Sequence, residues 1–294
     1  MISEKNAARR LGNQLFFTGP TLVAFLAVIV IPFLYGIYLT LFQWDGISKE
    51  MPFVGFSNYA TAFVDKEFWM AMGLTLKYVI VTVLLVNIVA FLLAYLLTFG
   101  LKGQNLFRTA FFTPNLIGGL VLGFIWIFIF NNIFVRAGEK LGIPFLSTSW
   151  LGDEKMAFWA IVLVSVWQYA GYMMVIFVAG LMSVPKDIME ASRIDGAGAW
   201  TRLTKMVLPL MVPSFIVTVF LTLKGTFMVY DLNYSLTQGG PFGSTTMGSM
   251  HVYNKAFRSY DYGLGQTEAF ILFFIVAVVT VLQVYFSKKL EVES

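Results

Sequence analysis

The sequence predicts an all-α, polytopic integral membrane protein with six transmembrane helices. Three observations carry that expectation. Hydrophobic residues make up 58% of the 294-residue chain and charged residues only 12%, whereas a soluble domain usually carries about 25% charged residues. Six stretches meet or approach the roughly 20 apolar residues a helix needs to cross the hydrocarbon of a bilayer. Their apolar character is continuous, which excludes a transmembrane β-barrel, whose strands would alternate over about ten residues. Hiding this much apolar surface in a soluble core would require a far larger protein.

The stretches run from Leu15 to Phe42, Tyr78 to Phe99, Thr109 to Val135, Met156 to Pro185, Met206 to Leu223, and Ala269 to Phe286. The last two are the shortest and extend into their flanks. Lys5, Arg9 and Arg10 resemble the basic region of a signal peptide, but the apolar run beyond them far exceeds the usual ~7–15 residues and no small-x-small site follows it. Residues 1–14 are therefore expected to be a cytoplasmic N-terminus, 15–42 a retained first helix, 43–70 an extracytoplasmic loop, 71–287 a five-helix core and 288–294 a cytoplasmic tail.

Orientation follows from Lys and Arg placement. With the N-terminus inside, the inner segments hold Lys5, Arg9, Arg10, Lys102, Arg108, Lys186, Arg193, Arg202, Lys205, Lys288 and Lys289 against six acidic residues. The outer segments are longer and slightly acidic. Both termini are expected on the cytoplasmic side of a bacterial or archaeal inner membrane.

Pro20, Pro32, Pro114 and Pro213 interrupt the spans, an interruption that neighbouring helices absorb in a membrane. Gly118, Gly119 and Gly123 fall on one side of the third span. The Gly119–Gly123 spacing permits close helix approach, so a packed bundle is expected.

Several function classes are excluded. Basic residues are scattered, with no patch or stacking platform for nucleic acid. The chain has no cysteine and one histidine, which removes thiol chemistry and leaves His251 to be read as an ordinary polar loop residue. Gly196 to Gly198 is followed by Ala199 and Trp200, not by the Lys-Ser or Lys-Thr of a phosphate loop. No ionisable residue lies inside the six stretches, as an ion-coupled carrier requires. Lys77 and Lys224 sit at span edges, where they reach the headgroups. No cluster of histidines or acids suggests a membrane enzyme. The chain reads as a passage without its own motor.

Residues 186–205 read as two short amphipathic helices broken at Asp195-Gly196. Pro185 and Asp187 suit the first start, and Gly196 a left-handed C-terminal position. Glu190 and Arg193 are spaced to pair on one face. Ile188, Met189, Ile194, Trp200 and Leu203 offer a surface to a partner or to headgroups. Glu190-Ala191-Ser192, then Asp195-Gly196-Ala197, then Val207-Leu208-Pro209 and Pro213, resembles the EAA motif of ABC-importer permeases, which reads E-A-A-x-x-D-G-A followed further on by I-x-L-P. Ser192 in place of the second alanine, and Val207-Leu208-Pro209 in place of the I-x-L-P run, depart from it conservatively. In that family this loop is the coupling helix that docks on an ATP-binding subunit, so the resemblance assigns Glu190, Ala191, Ser192, Asp195, Gly196, Ala197 and Pro209 to coupling.

A second stretch, Tyr230-Asp231-Leu232-Asn233-Tyr234-Ser235-Leu236-Thr237-Gln238-Gly239-Gly240-Pro241 with Ser244-Thr245-Thr246, is similar to the F-D-x-x-x-x-L-T-x-G-G-P…S-T run of carbohydrate permeases. Tyr253, Ala256-Phe257 and Tyr262-Gly263-Leu264-Gly265 continue the likeness. Gly239-Gly240-Pro241 makes a tight turn, and the resemblance implies that Thr237, Gly239, Gly240 and Pro241 face a substrate-binding protein. Together these likenesses imply a type I importer transmembrane domain of the sugar-permease branch, covering nearly the whole chain. They further imply a homologous second permease, two ATP-binding subunits that hold the ATP and Mg, and an extracytoplasmic binding protein. This chain itself is expected to hold no cofactor and no ATPase site.

A sugar offers apolar ring faces edged by hydroxyls, so its path needs aromatic, amide and hydroxyl groups. Within the spans Asn87, Asn115, Trp126, Trp167, Gln168, Tyr169 and Tyr172 fit, although each is also suited to helix packing. A sugar-phosphate permease is the alternative within this class. An ion-coupled carrier is the distant one.

Overall fold

The computed structural model describes residues 16–98 and 102–289. The basic N-terminal cluster Lys5, Arg9 and Arg10 and the end of the tail lie outside the described residues. Apart from one isolated bridge between Phe42 and Phe53, the regular elements described are helical. They are α1 (Phe16–Leu39), α2 (Ser57–Val64), α3 (Lys66–Thr98), α4 (Gln104–Phe112), α5 (Gly119–Leu141), α6 (Pro144–Ser147), α7 (Glu154–Ser183) and α8 (Lys186–Ile194). Then follow α9 (Ala199–Leu210), α10 (Val212–Phe227), α11 (Asp231–Leu236), α12 (Gly248–Tyr253) and α13 (Tyr262–Lys288). Five of these, α1, α3, α5, α7 and α13, are long and apolar enough to cross a membrane, and the bent pair α9–α10, taken as one span, makes the sixth.

Several expected boundaries shift, and the sixth span, α13, begins at Tyr262 instead of Ala269. Helix α3 begins at Lys66, well before the expected Tyr78 and inside the segment read as a loop. Hydropathy registers only the part in hydrocarbon, and the extension is held by packing: Phe68, Ala71, Met72 and Thr75 are buried, and the Thr75 hydroxyl accepts the Gly248 N–H at 2.8 Å. Lys77 is thus inside a helix, with its ammonium 4.5 Å over the Phe158 ring, an arrangement that the ring quadrupole favours. The expected third span, Thr109 to Val135, is broken. Pro114 opens a 3-10 turn that ends α4, and Gly118 is extended before α5 starts. The expected fifth span bends by 68° between α9 and α10. Pro213 cannot donate to the Pro209 carbonyl four residues back, and Pro209 itself cannot donate to Lys205, where a π-helical turn stands instead.

Two compact units are distinguished, residues 1–65 with 252–271, and 66–251 with 272–294. In the first, Asn58 Nδ2 donates to the carbonyls of Thr40 and Phe42, both at 2.9 Å. The backbone N–H of Tyr262 reaches the Trp44 carbonyl. Lys255 and Asp65 form a 2.8 Å ion pair. At the loop after α1, the backbone N–H groups of Ser48 and Ile47 hold the Asp45 carboxyl below the usual carboxylate range.

The second unit is built on the α3–α7 pair. Asp153 caps α7 by accepting the Lys155 and Met156 N–H groups. The buried hydroxyls of Tyr78 and Ser165 join the two helices at 2.7 Å. Along α10, Thr222 and Thr226 return their hydroxyls to carbonyls one turn back, which satisfies them without water. Glycines set the closest approaches. A Cβ on Gly171 of α7 would overlap the backbone carbonyl of Phe111 in α4, and one on Gly180 would overlap Ser214 near the α9–α10 bend. The Gly119–Gly123 pair lets α5 lie against α11: a Cβ at Gly119 would stand 2.9 Å from Asp231 Cβ, and one at Gly123 would overlap Ser235. Gly118 does not share in this, since a Cβ there meets nothing within 4 Å. His251, read from the sequence as a loop residue, lies in α12 with its ring 5.9 Å from that of Phe68 and only 7% exposed.

Candidate functional site

Two concavities in the second unit collect most of the polar groups that bear on function. The first, of about 230 Å³, is bounded by Gly119, Gln168, Tyr169, Gly225, Tyr230 and Asp231. Gln168 is positioned by its amide N–H, which donates to the Ile117 carbonyl at 3.1 Å, leaving Oε1 without a partner among the described residues. Tyr169 has room for its hydroxyl because Gly225 faces it, where a Cβ would stand 3.0 Å from the oxygen. Tyr230 stacks on Tyr234 at 5.6 Å and 19°. Asp231 opens α11. An amide, a phenol and an acidic residue thus border one small space.

Of the residues singled out for the path, Gln168 and Tyr169 border this space and the others do not. Asn87 is buried and donates to its own helix at the Val83 carbonyl. Asn115 sits in the 3-10 turn before α5. Trp126 is buried against Phe130 and meets Trp167 edge-on at 5.5 Å, while Trp167 points outward from the chain. Tyr172 meets Phe112 edge-on. Gly225, Tyr230 and Asp231 also border the space and are not among the path candidates that residue type points to. They lie just past the end of the fifth apolar stretch, and the only sequence signal for them is the Tyr230-Asp231 pair that opens the second motif.

The loop after α11 is a fixed turn. Asn233, fully buried, donates from Nδ2 to the Thr245 carbonyl at 2.9 Å and accepts the Thr237 hydroxyl at Oδ1. Thr245 donates in turn to the Gly240 carbonyl at 2.8 Å. Gly239 and Gly243 take positive φ of 84° and 76°, a conformation glycine adopts without strain. Phe242, at the tip beside Pro241, is 95% exposed.

The second concavity, of about 410 Å³, runs beside α8 and is bounded by Tyr95, Thr98, Leu181, Met189, Glu190 and Arg193. Helix α8 ends in a Schellman motif. The Ala197 N–H bonds the Ser192 carbonyl at 2.9 Å, the Gly196 N–H bonds that of Arg193 at 3.1 Å, and Gly196 has φ 74°. The Asp-Gly-Ala run is therefore a helix stop, as expected. Ser192 is buried and bonds the Met189 carbonyl, while Glu190, Ala191, Asp195 and Gly196 face outward. Arg202 ties the second helix back by donating to the Ala197 carbonyl at 2.7 Å. Glu190 and Arg193 do not form the expected ion pair and both border the concavity. Pro209 stands just before the α9–α10 bend.

The chain thus combines apolar helices long enough to cross a membrane, an outward-facing capped helix ahead of a proline-bent span, and a glycine-set turn. The chain belongs to the family described as binding-protein-dependent transport system inner membrane component, whose model matches residues 87–292. It is similar to the probable starch degradation products transport system permease protein AmyD of Thermoanaerobacterium thermosulfurigenes, 42% identical over 277 residues and covering 94% of each chain. It is also similar to the multiple sugar-binding transport system permease protein MsmF of Streptococcus mutans, 36% identical over 261 residues and covering 89% of this chain and 90% of the other. Its fold matches a crystal structure of a bacterial ABC transporter involved in alginate import, with a TM-score of 0.82 at 18% identity, over 97% of this chain and 99% of that one. The chain is thus an inner-membrane, multi-pass subunit of an ABC importer served by a binding protein, and its part in the system is transport and not catalysis.

Proposed function

We propose that the chain is the permease subunit through which an oligosaccharide crosses the membrane, delivered by an extracytoplasmic binding protein. The observation that carries this reading is that Gln168, Tyr169, Tyr230 and Asp231 all border the 230 Å³ space beside Gly119 and Gly225. Sugar hydroxyls need such hydrogen-bonding groups, and the faces of Tyr169 and Tyr230 suit apolar ring faces. The names of AmyD and MsmF, and of the trehalose/maltose permease MalF of Thermococcus litoralis, 32% identical over 263 residues, support the same substrate class. A sugar-phosphate permease would need a cation here, and neither Lys nor Arg borders the space.

In this reading a second, homologous permease faces this one, and two ATP-binding subunits hold the ATP and Mg. Helix α8, through Glu190, Ala191, Ser192, Asp195, Gly196 and Ala197, docks on one of them. Closure of the ATPases favours the state in which α8 and its counterpart approach, and hydrolysis releases it. The coupling is the difference in contacts between the two states. The Thr237–Pro241 turn, with Gly239 and Gly240, meets the binding protein on the other side.

Two measurements test this. Gly225→Leu fills the space and crowds Tyr169, so uptake of maltotetraose by the reconstituted complex should fall by about tenfold or more, while ATPase activity without binding protein is kept. Unchanged uptake would remove the space from the path. In this cysteine-free chain, Asp195→Cys should react with an impermeant thiol reagent only from the cytoplasm, and Phe242→Cys only from outside. The opposite pattern sinks the topology.

A further inference from the structure

We infer that Asp231 is a charge filter of the sugar path, accepting the hydroxyls of neutral sugars and turning away anionic ones. The inference rests on the carbohydrate reading of the 230 Å³ space. Among the described residues bordering that space, Asp231 is the one carboxylate, and no Lys, Arg or His stands beside it.

Three other aspartates in the chain show what a structural aspartate does at the start of a helix or turn. Asp45 accepts the N–H groups of Ile47 and Ser48, Asp153 those of Lys155 and Met156, and Asp261 that of Leu264. Asp231 opens α11 but caps nothing: among the described residues its carboxylate takes no backbone N–H and forms no ion pair, and the residue is exposed and borders the space. Its backbone, in contrast, is held closely. Ser235 Oγ lies 2.8 Å from the Asp231 carbonyl and 3.1 Å from the Gly119 carbonyl of α5. Gly119 leaves room for nothing larger than hydrogen against Asp231 Cβ and the Leu232 N–H. The fold thus fixes a carboxylate whose own oxygens it leaves unused.

A carboxylate accepts hydrogen bonds from neutral hydroxyls, whereas a second negative charge a few ångströms away is repelled. Gln168 and Tyr169 are neutral and supply no compensation. The selection falls on sugar charge, not on sugar size.

The test uses matched probes, maltotetraose and its reducing-end aldonate, which differ by one carboxylate. Binding to the permease–ATPase complex in nanodiscs, without the binding protein, is followed by saturation-transfer NMR. The wild-type complex should favour the neutral probe by about tenfold or more. Asp231→Asn should bring the two within about twofold, mainly by gain of the aldonate, and Asp231→Lys should invert the preference. Asp231→Glu should retain it, which separates charge from shape. A purely structural role would weaken both probes equally and leave their ratio alone, and an unchanged ratio in Asp231→Asn overturns the inference. If wild type binds neither probe and Gly225→Leu alters nothing, the carbohydrate reading of the space falls, and this inference with it. If Gly225→Leu abolishes binding while the ratio ignores residue 231, only the filter falls.

Discussion

A Glu190→Lys chain is expected to insert and accumulate normally in the membrane and yet to lose uptake by about 100-fold or more. Glu190 is exposed on α8 and makes no hydrogen bond or ion pair with the rest of the described chain, so its replacement costs the fold little. Its proposed partner lies outside the chain. Reversing a charge that is desolvated on docking leaves the opposite group buried and unpaired, which typically costs several kcal/mol. The check is uptake normalised to membrane-inserted protein, and normal uptake would defeat the docking role of α8. A companion pair separates contact from shape. Gly196 has open space around it but a φ of 74°, so Gly196→Val should disturb the end of α8 and lower uptake, whereas Gly196→Asn, a residue that tolerates left-handed backbone, should largely keep it.

The second large effect concerns the fold. Gly171→Ala should prevent accumulation of properly folded chain, because the added methyl overlaps the backbone of Phe111 and Phe112, which cannot swing aside as a side chain can. Overpacking of this kind costs about 1–3 kcal/mol or more, against a helix-propensity gain from alanine of about 1 kcal/mol. Gly73→Ala in α3 is the control. Nothing lies within 4 Å of its Cβ, so only the propensity gain remains and thermal stability should hold or rise. Fluorescence-detected size exclusion after heating reads both. A stable, monodisperse Gly171→Ala protein would mean that α4 does not pack on α7 in this way.

What could be read in the sequence divides by the kind of signal. Continuous apolar length located the membrane-crossing segments, because hydrocarbon thickness imposes a length on each. It could not see the extension of α3 to Lys66, where packing of Phe68, Met72 and Thr75 decides. Nor could it see the break at Gly118, since two helical pieces and a turn are as apolar as one helix. The end of α8 was legible at Asp195-Gly196 because a Schellman stop needs a left-handed residue. The Gly119–Gly123 spacing announced close approach but not its partner, the short helix α11. The path was the least legible. Gln168 and Tyr169 carried a type signal, and Trp126, Trp167 and Tyr172, which carried the same one, do not border the polar space. Asp231 and Gly225 reach the space through where the chain past the α9–α10 bend and the α5 glycines bring them, which no local pattern records.

The 68° elbow between α9 and α10 gives the chain a crank. One arm, α9, leaves directly from the α8 loop, and the other, α10, ends at Gly225 beside the polar space. Fourteen residues separate Met211 from Gly225, about 21 Å of helix. A swing of about 10° at the elbow would therefore carry Gly225 through roughly 4 Å, more than enough to separate it from the Tyr169 hydroxyl. Because Pro209 and Pro213 have no N–H to donate, no backbone hydrogen bond from either residue has to break during that swing. The two prolines make the joint cheap to flex, and the helices on either side keep the arms stiff.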